Sequence, residues 1–374
     1  MLNSKKIVFT TGGTGGHINP ALAVAGEIRR KYPDAQILFV GTSDRLETKL
    51  VPDAGFELKT VEMSGFQRKP SLENLKRNLL TVKRLLTVTG KVKKIFEAFP
   101  PDIVIGFGGY VSGPVVRTAA KMGIPTLVHE SNAFPGITTK ILARYVDVVA
   151  VGMEAAKKYL PETKKVMVAG SPIRPSMLNV DAFSARRELG LDSRPFIVIF
   201  GGSLGARDFN SAAAEWIMSV ADSKKYQILM ATGKNNQLDK VNQKFEENNF
   251  KIPAEIKVDE YIYNMDIAMN AADLVISRAG ASTLAELTAI GKPAILVPSP
   301  YVTDNHQQHN AEAIENGGGA VMIKEADLSA EIIEKTVSDI VGNPERLAQM
   351  KKASFKMGVP HSIDIICDEI ERLV

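Results

Sequence analysis

The chain has 374 residues, 45% apolar and 24% charged, a globular composition too long for one ordinary core, so two domains are expected. Its single cysteine, Cys367, excludes an internal disulfide framework and suits a reducing cytoplasm. No run approaches the ~18 apolar residues of a membrane span, and a net charge of +4 with a pI near 8.9 leaves anionic partners open without indicating nucleic acid.

The first residues, MLNSKKIVF, run straight into a strand pattern with no signal-like apolar leader. Apolar, β-branched runs then recur in chain order: KIVFT, QILFVG, DIVIGFG, PTLVHE, VDVVAVG, FIVIFGG, YQILMATG, DLVISRAG and PAILVPSP. Short continuous strands separated by helical-period segments predict an α/β fold with parallel sheets covered on both faces. The chain also nearly repeats itself. Residues 6–28 and 196–217 share a strand, a Gly-Gly-Thr/Ser turn, a further glycine and an apolar-periodic helix, which predicts two doubly wound, Rossmann-like domains. The expected organisation is an N-terminal domain over 1–167, a Gly- and Pro-punctuated linker over 168–178, a C-terminal domain over 179–355 and a helical tail over 356–374.

The first glycine turn, TTGGTGGHINP at 10–20, contains neither Gly-Lys-Ser/Thr nor G-x-G-x-x-G, and the same holds for GGSLGAR at 201–207. P-loop and dinucleotide readings therefore find no support. What remains is close backbone approach at a helix N-terminus, a geometry that suits phosphate or a tight turn alone. GFGGYVSGP at 106–114 and HESNAFPG at 129–136 also follow strands, where open α/β sheets bind ligands. Ahead of both, residues 68–94 hold nine basic side chains and one acid, Glu73, with Leu72, Leu75, Leu79, Val82 and Leu86 at helical spacing. That pattern fits a solvated surface helix or an amphipathic basic face on an anionic membrane.

In the second half, Thr283-x-x-Glu286 has capping-box spacing, although a carboxylate there could also accept hydrogen bonds from a ribose. The stretch 301–311 gathers Asp304, His306, Gln307, Gln308, His309 and Asn310, a set that suits sugar hydroxyls or a metal. No Asp-x-Asp pair occurs, so any bound diphosphate is expected to rest on helix termini and cations, with no metal.

GGTGGHINPALA, GFGGYVSGP, HESNAFPG, GSPIR, GGSLGAR, RAGASTLAEL and DNHQQHNA stand in the order found in the MurG family of peptidoglycan glycosyltransferases, which the chain resembles over nearly its whole length. The resemblance implies a GT-B fold, two Rossmann-like domains facing across a cleft, with the C-terminal helix returning to the N-terminal domain. It implies an inverting, cofactor-free enzyme at the cytoplasmic face of the cell membrane. Such an enzyme moves N-acetylglucosamine from UDP-N-acetylglucosamine to undecaprenyl-pyrophosphoryl-MurNAc-pentapeptide (lipid I). By the same resemblance His17 is the general base, and Thr14, Gly15 and Gly16 lie at the donor sugar and acceptor pyrophosphate. Asn132 reads the donor sugar. Arg174 and Ser203 contact the nucleotide, Ser203 at a helix N-terminus, and Ile262 meets uracil through its backbone. Glu286 takes the ribose, while Gln307, with Asn310 beside it and Gln308 as its neighbour in register, reads sugar hydroxyls. Leu204 departs from the glutamine common in relatives. A UDP-N-acetylglucosamine 2-epimerase on the same scaffold is the alternative, and it would have no need of the basic stretch 68–94.

Overall fold

The computed structural model describes residues 2–63 and 87–374. They divide into two compact units, Met1–Ile173 with His361–Val374, and Arg174–Pro360.

In the first unit the elements run β1 (Lys6–Thr10), α1 (Gly15–Lys31), β2 (Gln36–Gly41), α2 (Glu47–Asp53) and β3 (Glu57–Thr60). A helix α3 is described over 87–98. Then come β4 (Ile103–Gly106), α4 (Ser112–Lys121), β5 (Thr126–Glu130), α5 (Ile137–Leu142), β6 (Val148–Val151) and β7 (Val166–Val168). The seven strands are parallel in the order β3-β2-β1-β4-β5-β6-β7.

The second unit carries α6 (Ala182–Glu188), β8 (Phe196–Phe200), α7 (Arg207–Val220), β9 (Gln227–Ala231), α8 (Gln237–Glu247), β10 (Ile256–Asp259) and α9 (Met265–Ala271). It continues with β11 (Leu274–Ser277), α10 (Ala281–Ala289), β12 (Ala294–Leu296), α11 (His306–Asn316), β13 (Ala320–Met322), α12 (Ala330–Val341) and α13 (Pro344–Met357). Its parallel order is β10-β9-β8-β11-β12-β13. The order in which the chain crosses the sheet reverses between β1 and β4, and again between β8 and β11, which marks the crevice where such sheets take ligands.

All nine strands expected from the apolar runs are present. The four that the runs do not announce, β3, β7, β10 and β13, are the outer strands of their sheets. An edge strand is covered on fewer sides, so it can be short and mixed in polarity: β3 reads ELKT and β10 reads IKVD.

The first core stacks Phe9 on Phe39 and on Phe107, with ring centroids 5.3 and 6.1 Å apart. Into it the chain's last helix, α14 (Ser362–Leu373), inserts Ile366, Cys367 and Ile370, all fully buried. Lys31–Asp364 at 2.7 Å and Lys165–Glu369 at 2.6 Å pin the helix from outside. Burial pushes the Cys367 thiol up to about 12, so it behaves as a core hydrophobe and not as a nucleophile. The second core centres on Trp216, whose indole N–H donates to Glu334 at 2.8 Å.

Of the basic stretch 68–94, residues 68–86 lie outside the described residues. The remainder belongs to α3, which buries Val88, Val92 and Phe96 at four-residue spacing and leaves Lys91, Lys93 and Lys94 exposed.

Candidate active site

Parallel strands put every strand-to-helix turn of a sheet at one edge, and the candidate residues gather there in each unit. In the first unit β1 ends at Thr10. Gly13 turns the chain at φ +91°, and Thr14 caps α1 in extended geometry without a side-chain cap bond. The first turn of α1 contains no acid of its own, so no side chain within that turn competes for its amide ends. His17 is half-buried in that first turn, its N–H on Thr14 O at 3.0 Å. The turn after β4 lies directly against it. A Cβ on Gly108 would stand 2.6 Å from His17 Nδ1, and one on Gly109 would stand 2.5 Å from Gly12 O; both glycines have φ above +80°. Any side chain at either position would displace the imidazole or the loop.

Two buried carboxylates that the sequence reading passed over hold these turns. Glu47, at the start of α2 and fully buried, accepts from Gly13 N–H at 3.0 Å, Thr42 N–H at 2.9 Å and the Thr42 hydroxyl at 2.6 Å. Glu130, at the end of β5, accepts from the backbone and side-chain amides of Asn132, from Gly136 N–H and from the Thr139 hydroxyl, all within 3.1 Å. Asn132 is thereby held in one orientation. A carboxylate at a helix start or a strand end looks the same in sequence whether it faces water or a neighbouring loop, so neither residue carried a signal.

Beside Glu130, His129 is buried, stacks on Phe107 and bonds through Nε2 to Gly170 O at 2.8 Å. Burial pushes its pKa below the ordinary value, only partly offset by the Gly170 bond and the Glu130 charge. The unfolded chain takes up this proton near pH ~6.5, whereas the folded chain resists it. The contribution to stability is therefore complete above ~6.5 and declines as pH falls below it. Between pH 7 and 5 the urea midpoint of unfolding is expected to fall, and with a shallower slope in His129→Gln; an unchanged slope would show that His129 is not the linked group.

In the second unit the turn after β8 places Ser203 on an exposed bend between Gly202 (φ +97°) and Gly205 (φ +77°). Helix α7 begins only at Arg207, with Ala206 as its cap. Ser203 thus stands in the turn before the helix, not at its N-terminus as the resemblance implied. Gly205 and Gly233 interlock, since a Cβ on either would come within 2.5 Å of the other loop's backbone.

The capping box is not formed. Gly280 caps α10, no side chain bonds there, and Thr283 lies inside the helix. Glu286 is instead gripped by Arg174, Nε to Oε1 at 2.7 Å and Nη2 to Oε2 at 2.9 Å. This bidentate pair raises the guanidinium's already high pKa. Ile262 is buried between the exposed Tyr261 and Tyr263, whose rings pack edge to face.

Gln307 Oε1 accepts Ser299 N–H at 2.9 Å, so its amide NH2 is the end it has to offer. Both ends of the Gln308 amide are engaged locally, with Asn305 and Glu312. Asn310 has no exposed surface and donates to Ala279 O at 3.1 Å. That bond braces the approach to α10. His306 and His309 take separate local partners, Thr303 O and Glu312.

Each α/β unit carries glycine turns at its binding edge, with an imidazole in the first and a carboxylate–guanidinium pair in the second, and its family matches make the chain a glycosyltransferase. The glycosyltransferase family 28 N-terminal domain matches residues 7–151 and the family 28 C-terminal domain matches 196–366, so the fold is GT-B. A protein of Acetivibrio thermocellus named UDP-N-acetylglucosamine--N-acetylmuramyl-(pentapeptide) pyrophosphoryl-undecaprenol N-acetylglucosamine transferase is 44% identical over 99% of this chain and 98% of its own. The crystal structure of Acinetobacter baumannii MurG superposes with a TM-score of 0.80 at 26% identity, over 98% of this chain and 99% of that one. The chain belongs to the MurG family. A putative UDP-N-acetylglucosamine 2-epimerase of Listeria monocytogenes shares the fold at TM-score 0.66, over 98% of this chain and 95% of that one, but only 15% identity, and the epimerase alternative is not favoured.

Proposed function

We infer that the chain transfers N-acetylglucosamine from UDP-N-acetylglucosamine to the muramoyl 4-hydroxyl of lipid I, giving lipid II for peptidoglycan. The full-length identity to transferases of that name carries this reading. Incubation with both substrates should add one N-acetylhexosamine to the lipid by mass spectrometry and release UDP. Epimerised UDP-sugar without transfer would overturn it.

The site roles follow from the chemistry. A sugar hydroxyl is a weak nucleophile at neutral pH, and His17 is the base that takes its proton as the C1–O bond to UDP breaks. Thr14, Gly15 and Gly16 supply N–H groups at the start of α1 for the acceptor pyrophosphate, and Asn132 orients the sugar. Ser203 and its glycine turn meet the donor diphosphate, and Ile262 meets the uracil through its backbone. Arg174 and Glu286 take the nucleotide's phosphate and ribose, and Gln307 reads sugar hydroxyls through its NH2. Because N–H groups and cations carry the phosphates and the sequence lacks an Asp-x-Asp pair, turnover is expected to survive excess chelator. Complete loss, restored by magnesium or manganese, would refute metal independence.

We place the enzyme at the cytoplasmic face of the membrane, docked on anionic lipid through the basic stretch 68–94. No helix among the described residues is long and apolar enough to cross a membrane. Exposed Ile137 and Ile141, one turn apart on α5 beside Lys140 and Arg144, add an apolar contact with basic flanks. Binding to anionic vesicles should weaken as salt rises, and Lys76, Arg77, Lys83 and Arg84 changed to Gln should weaken it further. Equal binding to neutral vesicles would count against it.

A further inference from the structure

We propose that Glu47 is a positioning residue for the acceptor half of the reaction, fixing the glycine turn that leads into His17. The proposal rests on the transferase reading above for its kinetic consequence, but not for its geometry. Glu47 has no exposed surface, and among the described residues its partners are three uncharged donors: Gly13 N–H, Thr42 N–H and the Thr42 hydroxyl. A buried carboxylate without a cation is costly, and its persistence depends on the donors being well aimed. The fit around it is close. A Cβ on Gly12 would lie 2.5 Å from Glu47 Oε1, and one on Gly41 would lie 2.8 Å from its Cγ. One carboxylate therefore ties the end of β1, the end of β2 and the start of α2 together.

The clamp also sorts the turn's amides. Gly13 N–H is drawn inward to Glu47, which holds the residue at φ +91°. The amides of Thr14, Gly15 and Gly16, which follow, lie beyond that inward bond at the start of α1. Next in the chain comes His17, backed by Gly108. Releasing Gly13 would let the turn relax and shift the imidazole relative to the acceptor hydroxyl. A displacement of about 1 Å is enough to cost ~10²-fold in rate.

Glu47→Gln tests this, because an amide cannot accept at both of its ends. Whichever way it turns, an N–H of Gly13 or Thr42 meets a donor. The expected result is kcat down ~10–100-fold, with donor KM and the calorimetric Kd for UDP within about twofold. Gly41→Ala displaces the carboxylate without altering any charge and should give the same split. It serves if Glu47→Gln does not fold. Hydrogen exchange supplies a readout independent of turnover: the peptide spanning 11–18 should exchange faster in the variant, and the peptide spanning 201–206 should not. Folded variants with turnover within twofold of wild type, equal loss of UDP affinity, or unchanged exchange at 11–18 would each overturn the proposal. A wild-type enzyme that forms no disaccharide lipid would count against the transferase reading alone, since exchange still decides the clamp.

Discussion

Replacing His17 by asparagine is expected to lower turnover ~10²–10⁴-fold, the range usual for loss of a general base, while UDP affinity stays within a few-fold. Asparagine is smaller than the imidazole and can still donate a hydrogen bond, but it has no nitrogen that accepts a proton. The Gly108–Gly109 turn packs against the ring in the same unit as the α1 start. The change therefore falls in the first unit, while Ser203, Ile262, Glu286 and Gln307 lie in the second. The wild-type pH–rate profile should show an acidic limb, and the limb should vanish in the variant. If His17 only braced the loop or donated to phosphate, asparagine would keep most of the activity and the limb would persist. Turnover within tenfold of wild type with an intact acidic limb would remove His17 from the catalytic role.

The strands of both sheet interiors were legible because a parallel strand buried on both faces must be apolar throughout, as IVIG of β4 and FIVIF of β8 are. Outer strands escape that demand: β3 (ELKT) and β10 (IKVD) mix polarity, and β7 (VMV) and β13 (AVM) are apolar but only three residues long. Site residues divide in the same way. Glycines and the histidine announce themselves, since a left-handed turn and a titratable ring are uncommon requirements. Residues that act by bracing do not. Glu47 and Glu130 are chemically ordinary, and their importance lies in burial and in which donors face them, both set by other parts of the chain. Thr283 and Glu286 illustrate the converse. Their spacing is that of a capping box, but Gly280 starts the helix and Arg174, 112 residues away in sequence, claims the carboxylate.

That exchange of partners sets the second large effect. Glu286→Ala is expected to raise the donor KM and the UDP Kd by ~10–100-fold, the worth of hydrogen bonds from ribose hydroxyls to a charged acceptor. Both its oxygens are held by one guanidinium, so the carboxylate is fixed in direction before any ligand arrives, and each oxygen keeps lone pairs for a second donor. Glu286 is only 14% exposed while Arg174 is 49% exposed, so the pair presents its carboxylate from a sheltered side and its cation from an open one. Removing the carboxylate takes away the proposed ribose acceptor and also frees the Arg174 side chain that it orients. Stability should change little, because so exposed a guanidinium gains only ~0.2–1 kcal/mol from its partner and no helix cap is lost. Arg174→Ala should weaken UDP binding as well, and the double variant should fall short of the sum of the two single losses, since each acts through the other. A Glu286→Ala protein that binds UDP as wild type does, with a lowered melting temperature, would assign the pair to structure alone.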